Sequence, residues 1–219
     1  MSPWAYAVPA VGYLYGAVPF GFLAAKWLRG VDIRKTGSGN IGATNAARVL
    51  GFRFFPVIFL LDLSKGLLPA LAARALAGGG AWQPHPLVVA TGLAAMLGHA
   101  FPVYLGFKGG KAVATSTGFF LAVAPLQLLI AAGVWGLVFA VWRYVSLASI
   151  AAAVALPAAL CLTWPQPFGS GAFLTAVSVL GGAFVIYLHR ANIGRLLAGA
   201  EHKIGSRRPP QGPGHEEVN

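Results

Sequence analysis

The chain has 219 residues, 57% of them apolar and only 10% charged, with a mean hydropathy of +0.71. A soluble domain carries about 25% charged residues, so a water-soluble globule is excluded and a polytopic membrane protein is indicated. The formal net charge of +11 invites a nucleic-acid partner, but basic residues gathering in cytoplasmic loops produce the same excess, and no nucleic acid is expected.

Apolar blocks run over residues 4–28, 54–76, 86–106, 112–142, 147–163 and 171–188. Residues 1–28 lack a basic start and are too long for the apolar core of a signal peptide, so they read as a first span. In the second block, "LLDLSKG" sets Asp62 and Lys65 three residues apart, about one helical turn. Charges inside a bilayer are costly and pair, so these two read as a mutual ion pair giving structural support, with a functional role left open. Cys161 lies alone in an apolar run and is read as packing.

The fourth block, 31 residues long, exceeds the roughly 20 that one crossing needs, and Pro125 near its middle marks a turn. Counted as two crossings, it puts 14 of the 16 Lys and Arg at the cytoplasmic face. Counted as one, it sends Arg143 and the basic residues from Arg190 onward outside. The basic-loop bias therefore predicts an all-α integral membrane protein of seven transmembrane helices, amino terminus outside and carboxyl terminus cytoplasmic. Residues 1–206 form a single domain on this reading, and 207–219, rich in Pro and Gly, a disordered cytoplasmic tail.

This topology gathers three polar stretches on the cytoplasmic face. They are "SGNIGATNAARVLG" (38–51), "HAFPVYLGFKGGKAVATSTG" (99–118) and "YLHRANIGRLLAGAEHKIG" (187–205), and Glu201 is their only acid. The first holds Ser38, Asn40, Gly42, Thr44 and Asn45, which can cap a helix or donate to an anion, and Arg48, whose guanidinium can grip a phosphate or carboxylate twice. The second sets Lys108, Gly109, Gly110 and Lys111 just before an apolar helix that carries Thr115. Glycines admit close backbone approach, and a helix start favours phosphate; a plain basic turn is the other reading. In the third, His189, Asn192 and Arg195 fall near one helical face, and Glu201 can pair with Arg195 or Lys203 or buttress an arginine of another loop. No Walker A loop occurs and the histidines lack zinc spacing. Too few acids stand at this face for a magnesium site, so neither metal nor other cofactor is expected.

Taken together, in this order and spacing, the three motifs resemble the PlsY family, the bacterial acyl-phosphate:glycerol-3-phosphate acyltransferases. The resemblance implies a seven-span inner-membrane enzyme whose active site faces the cytoplasm. It implies transfer of a fatty acyl group from acyl phosphate to the sn-1 hydroxyl of glycerol 3-phosphate, giving lysophosphatidic acid and phosphate, the first step of bacterial phospholipid synthesis. It also implies site roles for Ser38, Arg48, Lys108, Gly109, Gly110, Lys111, His189, Asn192 and Glu201. "VSLASI" at 145–150 resembles the family's serine-bearing inner loop, which makes Ser146 or Ser149 a candidate. Two departures concern loop shape: Ile41 stands where many relatives have Pro, and Ala112 where many have Gly. The expected partners are glycerol 3-phosphate, acyl phosphate and membrane lipid, with the chain a monomer. The competing class is a membrane transporter of a small phosphorylated solute, but such sites usually lie at the midplane between repeated halves, and no repeat is visible here.

Overall fold

A computed structural model describes residues 7–78 and 85–205. The disordered tail expected over 207–219 lies outside the described residues. Within them the chain forms ten α-helices and no strand. These are α1 (Val8–Gly16), α2 (Phe20–Arg29), α3 (Ala43–Leu50), α4 (Phe55–Leu76), α5 (Pro86–Ala100), α6 (Val113–Val123), α7 (Pro125–Trp142), α8 (Val145–Thr163), α9 (Ala172–Leu188) and α10 (Arg190–Leu197).

Among the described residues, five segments are long and apolar enough to cross a membrane: Val8–Arg29, Phe52–Leu76, Pro86–Leu105, Pro125–Trp142 and Val145–Thr163. A sixth is α9 with α10, bent by 59°. The fourth apolar block does divide at Pro125. Ala124, the residue before it, leaves the helical region (φ −150°, ψ 60°), as the proline ring requires. The α6 piece has only 11 residues, about 16 Å at 1.5 Å per residue, roughly half of a hydrocarbon core. The first block is interrupted as well, at residues 17–19, where Pro19 precedes α2.

Small residues bring the helices together. A Cβ on Gly66 of α4 would collide with the Thr115 carbonyl oxygen of α6, and one on Gly118 of α6 with the Leu63 carbonyl oxygen of α4. Without a hydrophobic effect between helices in lipid, such close backbone packing supplies the attraction. The Thr115 hydroxyl reinforces it by donating to the Asp62 carbonyl (3.0 Å). A core of Phe119, Phe120, Val123, Leu156, Leu160 and Leu174 ties α6, α8 and α9 together. The polar loop before α3 winds around one side chain, the fully buried Asn45. Its Nδ2 donates to the carbonyls of Ile33, Thr36 and Asn40, and its Oδ1 accepts from Ser38 N–H, all within 2.9–3.0 Å.

Candidate active site

At the end of the bundle where α6 and α8 begin and α9 stops, the helices enclose a cavity of ≈ 460 Å³. Its mouth is polar, with Ser38, Asn40, Thr44, Arg48, Lys111, Ser146, His189, Asn192, Glu201 and His202 around it. Its interior is apolar, walled by Phe120, Leu128, Ala131, Trp135, Ala152 and Leu156. The three polar stretches therefore meet in one place, together with the serine-bearing start of α8.

Glu201 organises the mouth. The turn after α10 is closed by Ala200 N–H on the Arg195 carbonyl (2.8 Å), and Ile204 N–H binds the Arg143 carbonyl (3.0 Å) below the α7–α8 junction. This carries the Glu201 carboxylate inward. Its Oε1 accepts from Ser146 Oγ (2.8 Å) and Asn192 Nδ2 (2.7 Å), and its Oε2 from Arg195 Nε (2.7 Å). Burial alone would raise its pKa, but these donors hold it below the usual carboxylate range. Asn192 uses its other end to accept from Lys111 Nζ, so one carboxylate fixes α8, α10 and the lysine before α6.

Two cations face the cavity. Among the described residues, Arg48 makes no hydrogen bond or ion pair, so its guanidinium remains available to a ligand. Lys111 is held mainly by burial, with Arg195 and Arg48 nearby, at a pKa of about 8, against the upward pull of Glu201. Val113 and Ala114, the first residues of α6, also line the cavity, and their N–H groups have no helical partner. A cationic, donor-rich mouth opening into an apolar tract fits a molecule with an anionic head and a hydrocarbon tail. His189, 3% exposed, donates from Nδ1 to the Val185 carbonyl (2.8 Å), which leaves Nε2 an acceptor in the neutral ring. Ser149 also lines the cavity, donating to the Val145 carbonyl and accepting from the Trp135 indole (3.2 Å).

Other expected residues serve differently. Lys108 is exposed and does not line the cavity. Gly109 and Gly110 spend their N–H groups on the carbonyls of Ala100 (3.1 Å) and His99 (3.0 Å), so these amides are not free for a phosphate. Their lack of a side chain has a packing cause, since a Cβ on Gly110 would strike the His99 ring. Thr115 is fully buried on Asp62, and Asn45, although it borders the cavity, is consumed in shaping its loop; neither amide nor hydroxyl is left for substrate. Asn40 caps locally, its Oδ1 accepting from Gly42 N–H (2.8 Å). Asp62 and Lys65 are ion-paired (2.6 Å) as read from their spacing, and His99 Nδ1 joins them at 3.2 Å from Lys65 Nζ. His99 and His202 line the cavity yet were not singled out. The available signal for His99 was a histidine at the end of an apolar span; for His202 it was adjacency to Glu201. Among the described residues, no group of three His, Cys, Asp or Glu could hold a metal ion.

Comparison with known proteins agrees with the three motifs. A family model described as glycerol-3-phosphate acyltransferase matches residues 6–199. The chain is 47% identical over 209 residues to a glycerol-3-phosphate acyltransferase of Gloeobacter violaceus, covering 93% of this chain and 96% of that one. It is 47% identical over 190 residues to that of Geotalea daltonii, covering 87% and 92%. Among solved structures it is similar to PlsY (YgiH), an integral membrane glycerol 3-phosphate acyltransferase. The glycerol 3-phosphate form of PlsY matches with a TM-score of 0.81 at 43% identity, covering 92% of this chain and 96% of that one. The lysophosphatidic acid form matches with a TM-score of 0.79, covering 92% and 95%. This chain is a multi-pass membrane protein that belongs to the glycerol-3-phosphate acyltransferase family.

Proposed function

We propose that this protein transfers a fatty acyl group from acyl phosphate to the sn-1 hydroxyl of glycerol 3-phosphate, releasing lysophosphatidic acid and inorganic phosphate. The observation that carries this reading is a continuous cavity in which a mouth bearing Arg48, Lys111 and the start of α6 leads into an apolar tract. Both substrates bear phosphate, and the donor also bears a hydrocarbon chain; the two halves of the cavity suit those two chemistries. A carrier of phosphorylated solutes has no use for the apolar half. PlsY (YgiH), a relative of known structure, was solved in a glycerol 3-phosphate form and a lysophosphatidic acid form, which supports the acceptor and product assigned here.

In the reaction the acceptor hydroxyl oxygen attacks the acyl carbonyl carbon. A C–O ester bond forms, the bond between that carbon and the phosphate oxygen breaks, and phosphate departs. Arg48 and Lys111 hold the two phosphates side by side and neutralise charge as it builds on the leaving group. The hydroxyl proton passes to a substrate phosphate. This choice of base is supported by the setting of His189, whose ring is oriented by a backbone carbonyl and, among the described residues, by no carboxylate. His189, its ring fixed by the Nδ1–H bond to the Val185 carbonyl, walls the acceptor site at the mouth without taking the proton. No metal or other cofactor enters, and the enzyme acts as a monomer.

Seven crossings, with the amino terminus outside and the cavity mouth facing the cytoplasm of a bacterial inner membrane, complete the reading. The spans are α1 with α2, then α4, α5, α6, α7, α8 and α9. Support comes from α6 beginning and α7 ending near the same mouth, with the Pro125 turn between them. The purified protein is expected to convert palmitoyl phosphate and glycerol 3-phosphate to lysophosphatidic acid in excess EDTA, and to leave palmitoyl-CoA untouched. Turnover with palmitoyl-CoA, or activity restored only by magnesium, would overturn the donor and metal-free assignments. Proteoliposome uptake of labelled glycerol 3-phosphate without acyl donor would instead favour a carrier.

A further inference from the structure

We propose that the inner end of the cavity is a ruler for acyl-chain length, with Leu156 as its floor and Ala152 as the position that keeps it deep. The inference rests on the acyl-donor reading above and names the part of the site that selects among donors. The α8 residues lining the cavity run from Val145 at the polar mouth to Leu156, eleven residues further along. At 1.5 Å per residue this is about 16 Å, roughly half the thickness of a hydrocarbon core. The farthest lining residue of α6 is Phe120, and the lining residue of α7 closest to the Pro125 turn is Leu128. Leu156 and Phe120 are 8% and 2% exposed and belong to the core that joins α6, α8 and α9. Close-packed side chains of this kind do not yield to an advancing methyl group without cost.

Above this floor α8 and α9 present small residues to the space. Ala152 lies one turn of α8 nearer the mouth than Leu156. Gly181 of α9 also lines the space, and a Cβ there would meet only the Met96 methyl, at 3.7 Å. A large side chain at position 152 therefore raises the floor by one helical turn, about 5.4 Å. A zigzag of ~1.5 Å bonds advances roughly 1.3 Å per carbon, so the loss is about four methylenes of reach. Removing the Leu156 side chain does the opposite and deepens the tract.

The test is a donor series of octanoyl, lauroyl, palmitoyl and stearoyl phosphate with saturating glycerol 3-phosphate, reading kcat/KM for the full-length protein. Ala152→Leu is expected to raise the octanoyl-to-lauroyl ratio by about 10-fold or more, the discrimination that one methylene carries in an apolar pocket. Leu156→Ala is expected to shift the optimum toward palmitoyl. Ala152→Val serves should the leucine variant fail to fold, and is expected to move the ratio in the same direction by less. Unchanged chain-length profiles in folded, active variants would overturn the ruler and show that the tail leaves sideways into lipid. Wild-type protein that turned over none of the four donors would overturn the acyl-donor reading itself, a separate outcome.

Discussion

Arg48 and Lys111 face the same cavity but hold charge in different ways. The Arg48 guanidinium can make two parallel bonds to a phosphate, which an ammonium cannot copy. Losing one charge-assisted bond of about 1.5–3 kcal/mol costs roughly 10- to 150-fold, and Arg48→Lys is expected to lose kcat/KM in that range. A normal value for both substrates would show that Arg48 does not grip phosphate in this forked manner. Lys111, with a pKa near 8 rather than 10.5, gives up its proton in the free enzyme as pH rises through about 8. The profile of kcat/KM is expected to fall above that pH, and Lys111→Arg to carry the fall to higher pH. Stability moves the other way. Because the folded value lies below the unfolded one, the cost of burying this charge is present below pH 8 and is relieved as pH rises toward 10.5. His189→Gln is expected to keep more than about a tenth of kcat, since losing a general base would cost about 10²–10⁴-fold and glutamine can still donate a hydrogen bond as Nδ1 does to Val185. An equal, thousandfold-scale loss in His189→Gln and His189→Ala would make the histidine the base. Residue chemistry was legible where the side chain itself carries it: Ser38, Arg48, Lys111, His189, Asn192 and Glu201 all border the cavity. It was illegible at Gly109, Gly110 and Thr115, because the acceptor of an N–H or hydroxyl is chosen by tertiary neighbours that spacing does not reveal.

At the scale of elements, the start of α6 shows how a departure in sequence appears in the backbone. Ala112 caps this helix in the left-handed region (φ 56°, ψ 15°) and is fully buried. Its carbonyl is held by Ser116 N–H (2.7 Å) and Ser116 Oγ (2.6 Å), so the strained geometry is fixed by the helix it begins. A left-handed L-residue costs roughly 1–2 kcal/mol, and glycine repays part of that in unfolded-chain entropy. Ala112→Gly is therefore expected to stabilise the protein by about 0.5–1 kcal/mol, seen as a raised midpoint of thermal unfolding in detergent. A lowered midpoint would mean that the left-handed turn carries no strain. Breaks in helices were readable at Pro125 because a proline constrains the residue before it. The shortness of α6 was readable from the same mark, because Lys111 bounds the apolar run on one side and Pro125 stands only fourteen residues further on.

For the whole molecule, the excess of positive charge and the apolar composition have one combined result. Basic loops converge where helices end, and the gap between those helices leads from charge into hydrocarbon. On the proposed function, such a cavity brings a water-borne phosphate to a lipid-borne one without moving either across the membrane. On the same reading the two substrates, bound side by side at a mouth ringed by donors, react with each other rather than with water. The direct measurement is the ratio of lysophosphatidic acid formed to inorganic phosphate released by the purified protein with palmitoyl phosphate and saturating glycerol 3-phosphate. The account predicts equal amounts, with phosphate release ceasing when glycerol 3-phosphate is left out. Phosphate released without lysophosphatidic acid would contradict it, because the cavity would then be admitting water to the acyl carbonyl instead of holding the acceptor there.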